Sequence, residues 1–339
     1  MLSFDDIQEI GERIDRLMTV EIRPLKGGLP SNYVVPMYEA CRRFHGQPLS
    51  TLAAQRITGV LTPGATVFIA TGAGVAPRLP QGETDGPVGA GALAFALMKA
   101  FDARVVFVTE TAHRAPVESV ARELMSMLPD SQPVVTECFG LGLQHGLERA
   151  SSLSRKYRPS AVIFVERDGP NREGFFHGVR GDCRGPDDVG HVYLLADCAR
   201  DEGILSIGIG DGGNEVGFGR VRDQITAVHP LGAKSHAGHA SGVVTVTPTD
   251  VVVSASVSNW GAYGVAAAMA AIRLEPQALY STDYDNRLLQ ACVAAGARDG
   301  ATSRSNMAVD GISASGHAAF LQMLHSVVSV SIGSSSTHG

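Results

Sequence analysis

Ile204-Leu205-Ser206-Ile207-Gly208-Ile209-Gly210-Asp211-Gly212-Gly213-Asn214-Glu215 is an apolar run that breaks into glycines and acids. Its first six residues predict a buried strand. Open α/β sheets bind ligands beyond the carboxyl ends of their strands, so an acidic turn at that position speaks to fold and site together. Glycines let a backbone pass close to a ligand, and Asp, Asn and Glu bring oxygen ligands. Two more turns have this make-up: Gly82-Glu83-Thr84-Asp85-Gly86-Pro87, and Glu166-Arg167-Asp168-Gly169-Pro170 after the apolar run 161–165. Three carboxylate-bearing turns predict a hard-cation site, a site for an amine or hydroxyl substrate, or both.

Outward from that stretch, apolar runs predict strands at 66–70, 104–109, 133–137, 161–165, 204–209 and 249–256. Helices are predicted at 3–18, 33–45, 48–59, 87–101, 116–128, 142–157, 186–202, 260–273, 284–296 and 312–328. Ser3 and Asp6 have capping-box spacing at the start of the first helix, and Pro87 suits a first helical turn. Strands alternating with helices predict an α/β fold: a mostly parallel sheet with helices on both faces, a three-layer αβα sandwich. Residues 23–31 and 166–186 read as loops, and 222–248 as a lid or a short antiparallel excursion. One domain is expected over 1–330, with a disordered tail at 331–339.

A chain of 339 residues with 44% hydrophobic and 18% charged residues builds a sizeable core. A net charge of −6 gives no reason to expect nucleic acid as a partner. The five cysteines are widely spaced and form no CxxC pair, which favours reduced thiols over a zinc ribbon or disulfide scaffold. The acidic, amphipathic start is unlike a secretory signal, and no apolar run is long enough to cross a bilayer. A cytoplasmic protein with no membrane partner is expected, with homo-oligomer formation left open.

Each acidic turn has a bland reading beside the functional one. Asp211, Asn214 and Glu215 are metal or substrate ligands, or a turn that caps the next helix. Glu83 and Asp85 are ligands, or charges that complement a helix N-terminus. Asn259, in Ser258-Asn259-Trp260-Gly261, bonds substrate or serves as a cap. Residues 208–213 satisfy G-x-G-x-x-G by letter, yet an Asp in the phosphate turn repels a pyrophosphate unless a metal intervenes. His229, His236 and His239 fit no zinc spacing, and no G-x-S-x-G elbow is present.

With those residues in view, the chain resembles the D-glutamate cyclase-like C-terminal domain family. The matching blocks are Gly82–Pro87, Glu166-Arg167, Gly210–Glu215, Val257–Gly261 and Val309-Asp310-Gly311, in the family's order. The resemblance implies conversion of D-glutamate to 5-oxo-D-proline with loss of water, an α/β fold, and a divalent site for Mn²⁺ or Mg²⁺. A phosphatase-like activity is also linked to the family, so a Mn²⁺- or Mg²⁺-dependent phosphatase on the same carboxylates is the alternative, with a small-acid-binding module as a third reading. The chain departs from the family pattern at Glu173, where an Asp is expected, and at Phe175 and Phe176, where tyrosines are.

Cyclisation requires a base for the amine, neutralisation of the γ-carboxylate, and a pocket that folds the substrate end to end. The expected roles follow. Glu83, Asp85, Asp211 and Glu215 supply the metal ligands, and the catalytic base comes from Glu83, Asp211 or Glu215. Asn214 and Asn259 orient a small acidic substrate beside the backbone of Gly212 and Gly213, Arg167 pairs with its α-carboxylate, and Asp310 lines the same pocket.

Overall fold

The computed structural model describes residues 2–22, 32–236 and 240–335. The expected loop at 23–31, His239 and the last four residues of the expected tail lie outside them. Six strands form one parallel sheet: β1 (Thr66–Thr71), β2 (Arg104–Glu110), β3 (Val135–Phe139), β4 (Ala161–Val165), then β7 (Leu205–Gly210) and β8 (Val251–Ser254). Between β4 and β7 lies a separate hairpin of β5 (Phe176–His177) and β6 (Cys183–Arg184). A second short hairpin joins β9 (Ala308–Val309) to β10 (Ile312–Ser313).

The order across the sheet is β3-β2-β1-β4-β7-β8, with every neighbouring pair parallel. The chain starts in the middle, winds out one way, returns beside β1, and winds out the other way. That reversal leaves a crevice beyond the carboxyl ends of β1 and β4, where doubly wound sheets hold their ligands.

Side chains along each strand alternate between two cores, as the pleat dictates. Val67 and Ile69 of β1, Val105 and Phe107 of β2, and Ile163 and Val165 of β4 enter one core. Phe68 and Ala70, Val106 and Val108, and Val162 and Phe164 enter the other. The layers are unequal. The first core is covered by α1 (Phe4–Met18), α2 (Val34–His45), α3 (Leu49–Val60), α4 (Pro87–Phe101) and α5 (Arg114–Met127). The second face is covered by α6 (Leu143–Tyr157) and α7 (Leu194–Glu202). The first layer is completed by α8 (Arg222–Val228), α9 (Ser258–Ile272), α10 (Thr282–Ala294) and α11 (Ala314–Ser335).

The three-layer α/β fold agrees with the sequence reading, and the capping box at Ser3 and Asp6 is made in both directions. Four local expectations are corrected. The helix expected at 186–202 begins only at Leu194, because the Gly190 N–H donates to Glu110 (2.8 Å) and the Gly190 carbonyl accepts from Arg167 (3.3 Å). A backbone committed to those partners cannot close helical i to i−4 bonds. The loop expected at 166–186 contains β5–β6, and α8 occupies the start of the segment 222–248. The last helix runs to Ser335, so residues 331–335 continue it.

Candidate active site

The three acidic turns leave the sheet at the carboxyl ends of β1, β4 and β7 and line one cavity of about 110 Å³. Glu83, Asp85, Glu166, Asp211 and Asp310 contribute carboxylates, and Asn214 joins them. Such a volume is well below the 300–1,000 Å³ typical of drug-sized ligands, and it suits a molecule of amino-acid size.

The turn after β1 is fixed from three directions. The Glu83 N–H donates to the Ala73 carbonyl (2.9 Å), and the Thr84 N–H to the Arg298 carbonyl (3.0 Å). The Asp85 carboxylate accepts from the N–H groups of Gly86 (3.0 Å), Ser258 (2.9 Å) and Asn259 (2.8 Å), so it caps α9, whose own N-cap residue Val257 offers no side-chain bond. Asn259 returns the bond: its Oδ1 accepts from the N–H groups of Gly86 (2.8 Å) and Gly89 (2.7 Å) at the start of α4. Its Nδ2 donates to the Thr84 carbonyl (3.2 Å). Asn259 is therefore fully engaged in holding the turn, and it does not line the cavity.

After β4, Glu166 has φ +47°, a left-handed conformation that costs a non-glycine residue about 1–2 kcal/mol. Its carboxylate accepts from the Ser258 hydroxyl and lines the cavity. Arg167, expected at the substrate, is instead wholly buried among Glu110 (3.0 Å), Asp168 (3.2 Å) and the carbonyls of Gly72 and Gly190. It is absent from the cavity lining. Arg184 reaches the same two carboxylates, at 3.3 Å from Glu110 and 2.5 Å from Asp168.

The turn after β7 divides its acids between two tasks. The Glu215 carboxylate accepts from the N–H groups of Gly212 (2.8 Å) and Gly213 (2.7 Å), with a longer bond from Asp211 (3.4 Å), and so shapes the turn. Gly213 has φ +91°, and a Cβ on Gly212 would lie 2.5 Å from Asn214 Oδ1. These two glycines serve the turn's geometry, and neither lines the cavity. Asp211 and Asn214 do line it. Asn214 is 5% exposed, and its Oδ1 has no hydrogen-bond partner. Asp310, at φ +51° between β9 and β10, closes the ring; a Cβ on Gly300 would lie 2.0 Å from Glu83 Oε2 and 2.9 Å from Asp310 Oδ1.

Two groups of buried acids stand in opposite electrostatic states. Burial alone would raise Glu110 and Asp168, but Arg167 and Arg184 hold both below the usual carboxylate range. Burial pushes Glu83 and Asp85 well up, and Asp310 and Asp211 push them further. Glu166 is also pushed well up, by burial and then by Glu215 and Asp211. Like charges at this density want a cation.

The residues fit the divalent ion expected from the sequence. One carboxylate oxygen each from Asp85, Asp211 and Asp310 falls within 4.8 Å of the others, and Glu166, Asp211 and Glu215 form a second such group. The donors are all oxygen, as Mg²⁺ and Mn²⁺ prefer, and Asn214 Oδ1 adds an unused acceptor. Glu83 lines the cavity outside both groups. Asp310 and Glu166 thus join Asp85, Asp211 and Glu215 of the four expected ligands, and Glu83 does not. His229 is remote in role: buried, it accepts from the Leu231 N–H through Nδ1 (2.9 Å).

The sequence pointed to Glu166 only as part of an acidic turn. Arg78, His177, Arg180 and Arg184 carried no signal, because the hairpin β5–β6 that presents three of them was read as loop. No helix among the described residues is long and apolar enough to cross a membrane.

The family described as D-glutamate cyclase-like, C-terminal, matches residues 37–325. Human mitochondrial D-glutamate cyclase is 29% identical over 202 residues, covering 56% of this chain. The chain spans 30% of that protein's length. A crystal structure of an O-ureido-L-serine-bound mutant of O-ureido-L-serine synthase is 13% identical, covering 80% of this chain and 76% of its own, with a TM-score of 0.18. That score supports no inference.

Proposed function

The chain belongs to the D-glutamate cyclase-like C-terminal family, and from that premise we propose that it closes D-glutamate, or a related acidic amino acid, to 5-oxo-D-proline with release of water. The observation that carries the reading is the ring of buried carboxylates, with Glu83, Asp85 and Glu166 pushed well above the usual range, around a cavity of amino-acid size.

In the reaction the substrate nitrogen bonds to the carbon of its own γ-carboxyl group, a carbon–oxygen bond of that group breaks, and water leaves. The substrate ammonium is attracted to the acidic ring, which holds it beside Glu83. Glu83, outside both cation groups, takes the proton that frees the amine for attack. The cavity holds the two ends of the substrate together, replacing a costly chain closure with a bound geometry. Asp85, Asp211 and Asp310, with Asn214, would hold a divalent cation. When bound, it would supply Lewis-acid neutralisation of the γ-carboxylate. The nitrogen gives up two protons in all, one before the attack and one after it, and the carboxylate base passes both to the departing oxygen, which leaves as water, so the reaction consumes no acid or base.

Incubation with D-glutamate and Mn²⁺ or Mg²⁺, followed by detection of 5-oxoproline, tests the reading. Product that depends on Asp211 supports it. A folded protein that forms none with either ion, or that releases phosphate from phosphomonoesters instead, overturns it.

A further inference from the structure

Three arginines line the acidic cavity, and two are committed elsewhere. Arg78 pairs with Asp182 (2.8 Å) and donates to Ser303 Oγ (3.2 Å) and the Gly300 carbonyl (3.3 Å). Arg184 is held by Glu110 and Asp168. Arg180, in the turn between β5 and β6, makes one bond, from Nη2 to the Ala301 carbonyl at 3.0 Å. Among the described residues it has no carboxylate partner, although seven carboxylates line the same cavity.

The bond to Ala301 fixes where the guanidinium sits. Ala301 follows Gly300, the glycine packed against Glu83 and Asp310, so Arg180 is tied to the cavity wall one residue from the acidic ring. It is half-buried, which reduces the solvent screening of its charge. A guanidinium has five donors, and among the described residues only one finds an acceptor here, which leaves its fork open to a planar anion.

We infer that Arg180 binds the α-carboxylate of the substrate, the role expected of Arg167. The inference rests on the proposed function, since it takes an amino acid as the ligand. It also gives the site a polarity. The carboxylate ring takes the ammonium and the reacting end, and Arg180 takes the carboxylate that does not react. The acidic ring alone would repel a dicarboxylate, so a cation on the cavity wall beside it decides which acids enter.

The test deletes the group on the ligand and on the protein in turn. D-glutamate and D-isoglutamine, its α-amide, are compared on the metal-supplemented wild type, on Arg180→Gln and on Arg180→Lys. The wild type is expected to favour D-glutamate in KM or Kd by about 10- to 100-fold, the worth of a charge-assisted pair. Arg180→Gln should lose that preference while kcat changes little, and Arg180→Lys should recover part of it. The Gln side chain retains an N–H donor for the Ala301 carbonyl, and near-UV circular dichroism checks the fold. A preference that survives in Arg180→Gln, or an equal loss for both ligands, overturns the inference while the cyclase reading stands. A wild type that neither binds nor converts D-glutamate removes both.

Discussion

Asp85 caps α9 from the turn that precedes α4, and Asn259, in the first turn of α9, caps α4 in exchange. Two helix N-termini that meet side by side would leave several N–H donors without partners. Here the sequence resolves that conflict with one acid and one amide. The exchange also welds the Glu83 turn to α9, so a residue of the candidate site is positioned by a helix 173 residues away in the chain.

Asn259→Ala removes the acceptor for two buried N–H groups. The Gly86 N–H keeps its bond to Asp85, so the Gly89 N–H is the donor left unsatisfied, and the expected cost is about 1–3 kcal/mol. Urea denaturation measures it. An unchanged midpoint would show that the two caps act separately from the fold.

Asp211 is the one carboxylate shared by both cation groups. Without a cation, its charge opposes those of Glu83, Asp85 and Glu166. Asp211→Asn should therefore raise the melting temperature of chelator-treated protein and abolish activity. Saturating Mn²⁺ should stabilise the wild type by about 2–3 kcal/mol at a hundred times its dissociation constant, and the variant far less. Thermal scans with chelator and with Mn²⁺ check both halves. A variant less stable than the wild type in chelator would show that the acidic ring carries no electrostatic load.

Arg167 shows what the sequence left illegible. Its neighbour Asp168 is visible along the chain, but Glu110 lies 57 residues away and the Gly190 carbonyl belongs to a segment read as helix. Without those partners an Arg beside a ligand-bearing Glu reads as a substrate residue. Asp211 and Asn214 were legible because a buried strand ended at them. Glu215 was not, because the N–H groups that claim its carboxylate converge only once Gly213 takes its positive φ. The sheet was read well for a simple reason: its strands apart from the edge strand β3 are buried on both faces, and apolar runs mark them.

Arg167→Met should fail differently from a substrate-site variant. Removing the guanidinium leaves Glu110 and Asp168 buried with Arg184 alone, and breaking a buried pair costs about 3–5 kcal/mol. Loss of stability by denaturant titration is expected. A stable Arg167→Met protein with a raised KM would return Arg167 to the substrate.

His113 stands against the same network and gives it a pH signature. It is almost wholly buried, its Nδ1–H donates to the Gly72 carbonyl (3.1 Å), and burial followed by the charge of Arg167 lowers its pKa to about 4. The unfolded imidazole titrates near 6.5. Between those values the unfolded chain holds the extra proton, so stability rises with pH. The contribution is complete above pH 6.5 and is lost as pH falls toward 4. Across that window one histidine accounts for roughly 3 kcal/mol. His45 and His229, also lowered to about 4 with burial as the first cause, act in the same direction. The raised carboxylates of the cavity act in the opposite one, so the wild-type slope alone mixes them. The difference between wild type and His113→Gln isolates the single site. Urea midpoints from pH 4 to 7 should converge for the two proteins as pH falls, and a constant gap would show that His113 titrates normally in the folded protein.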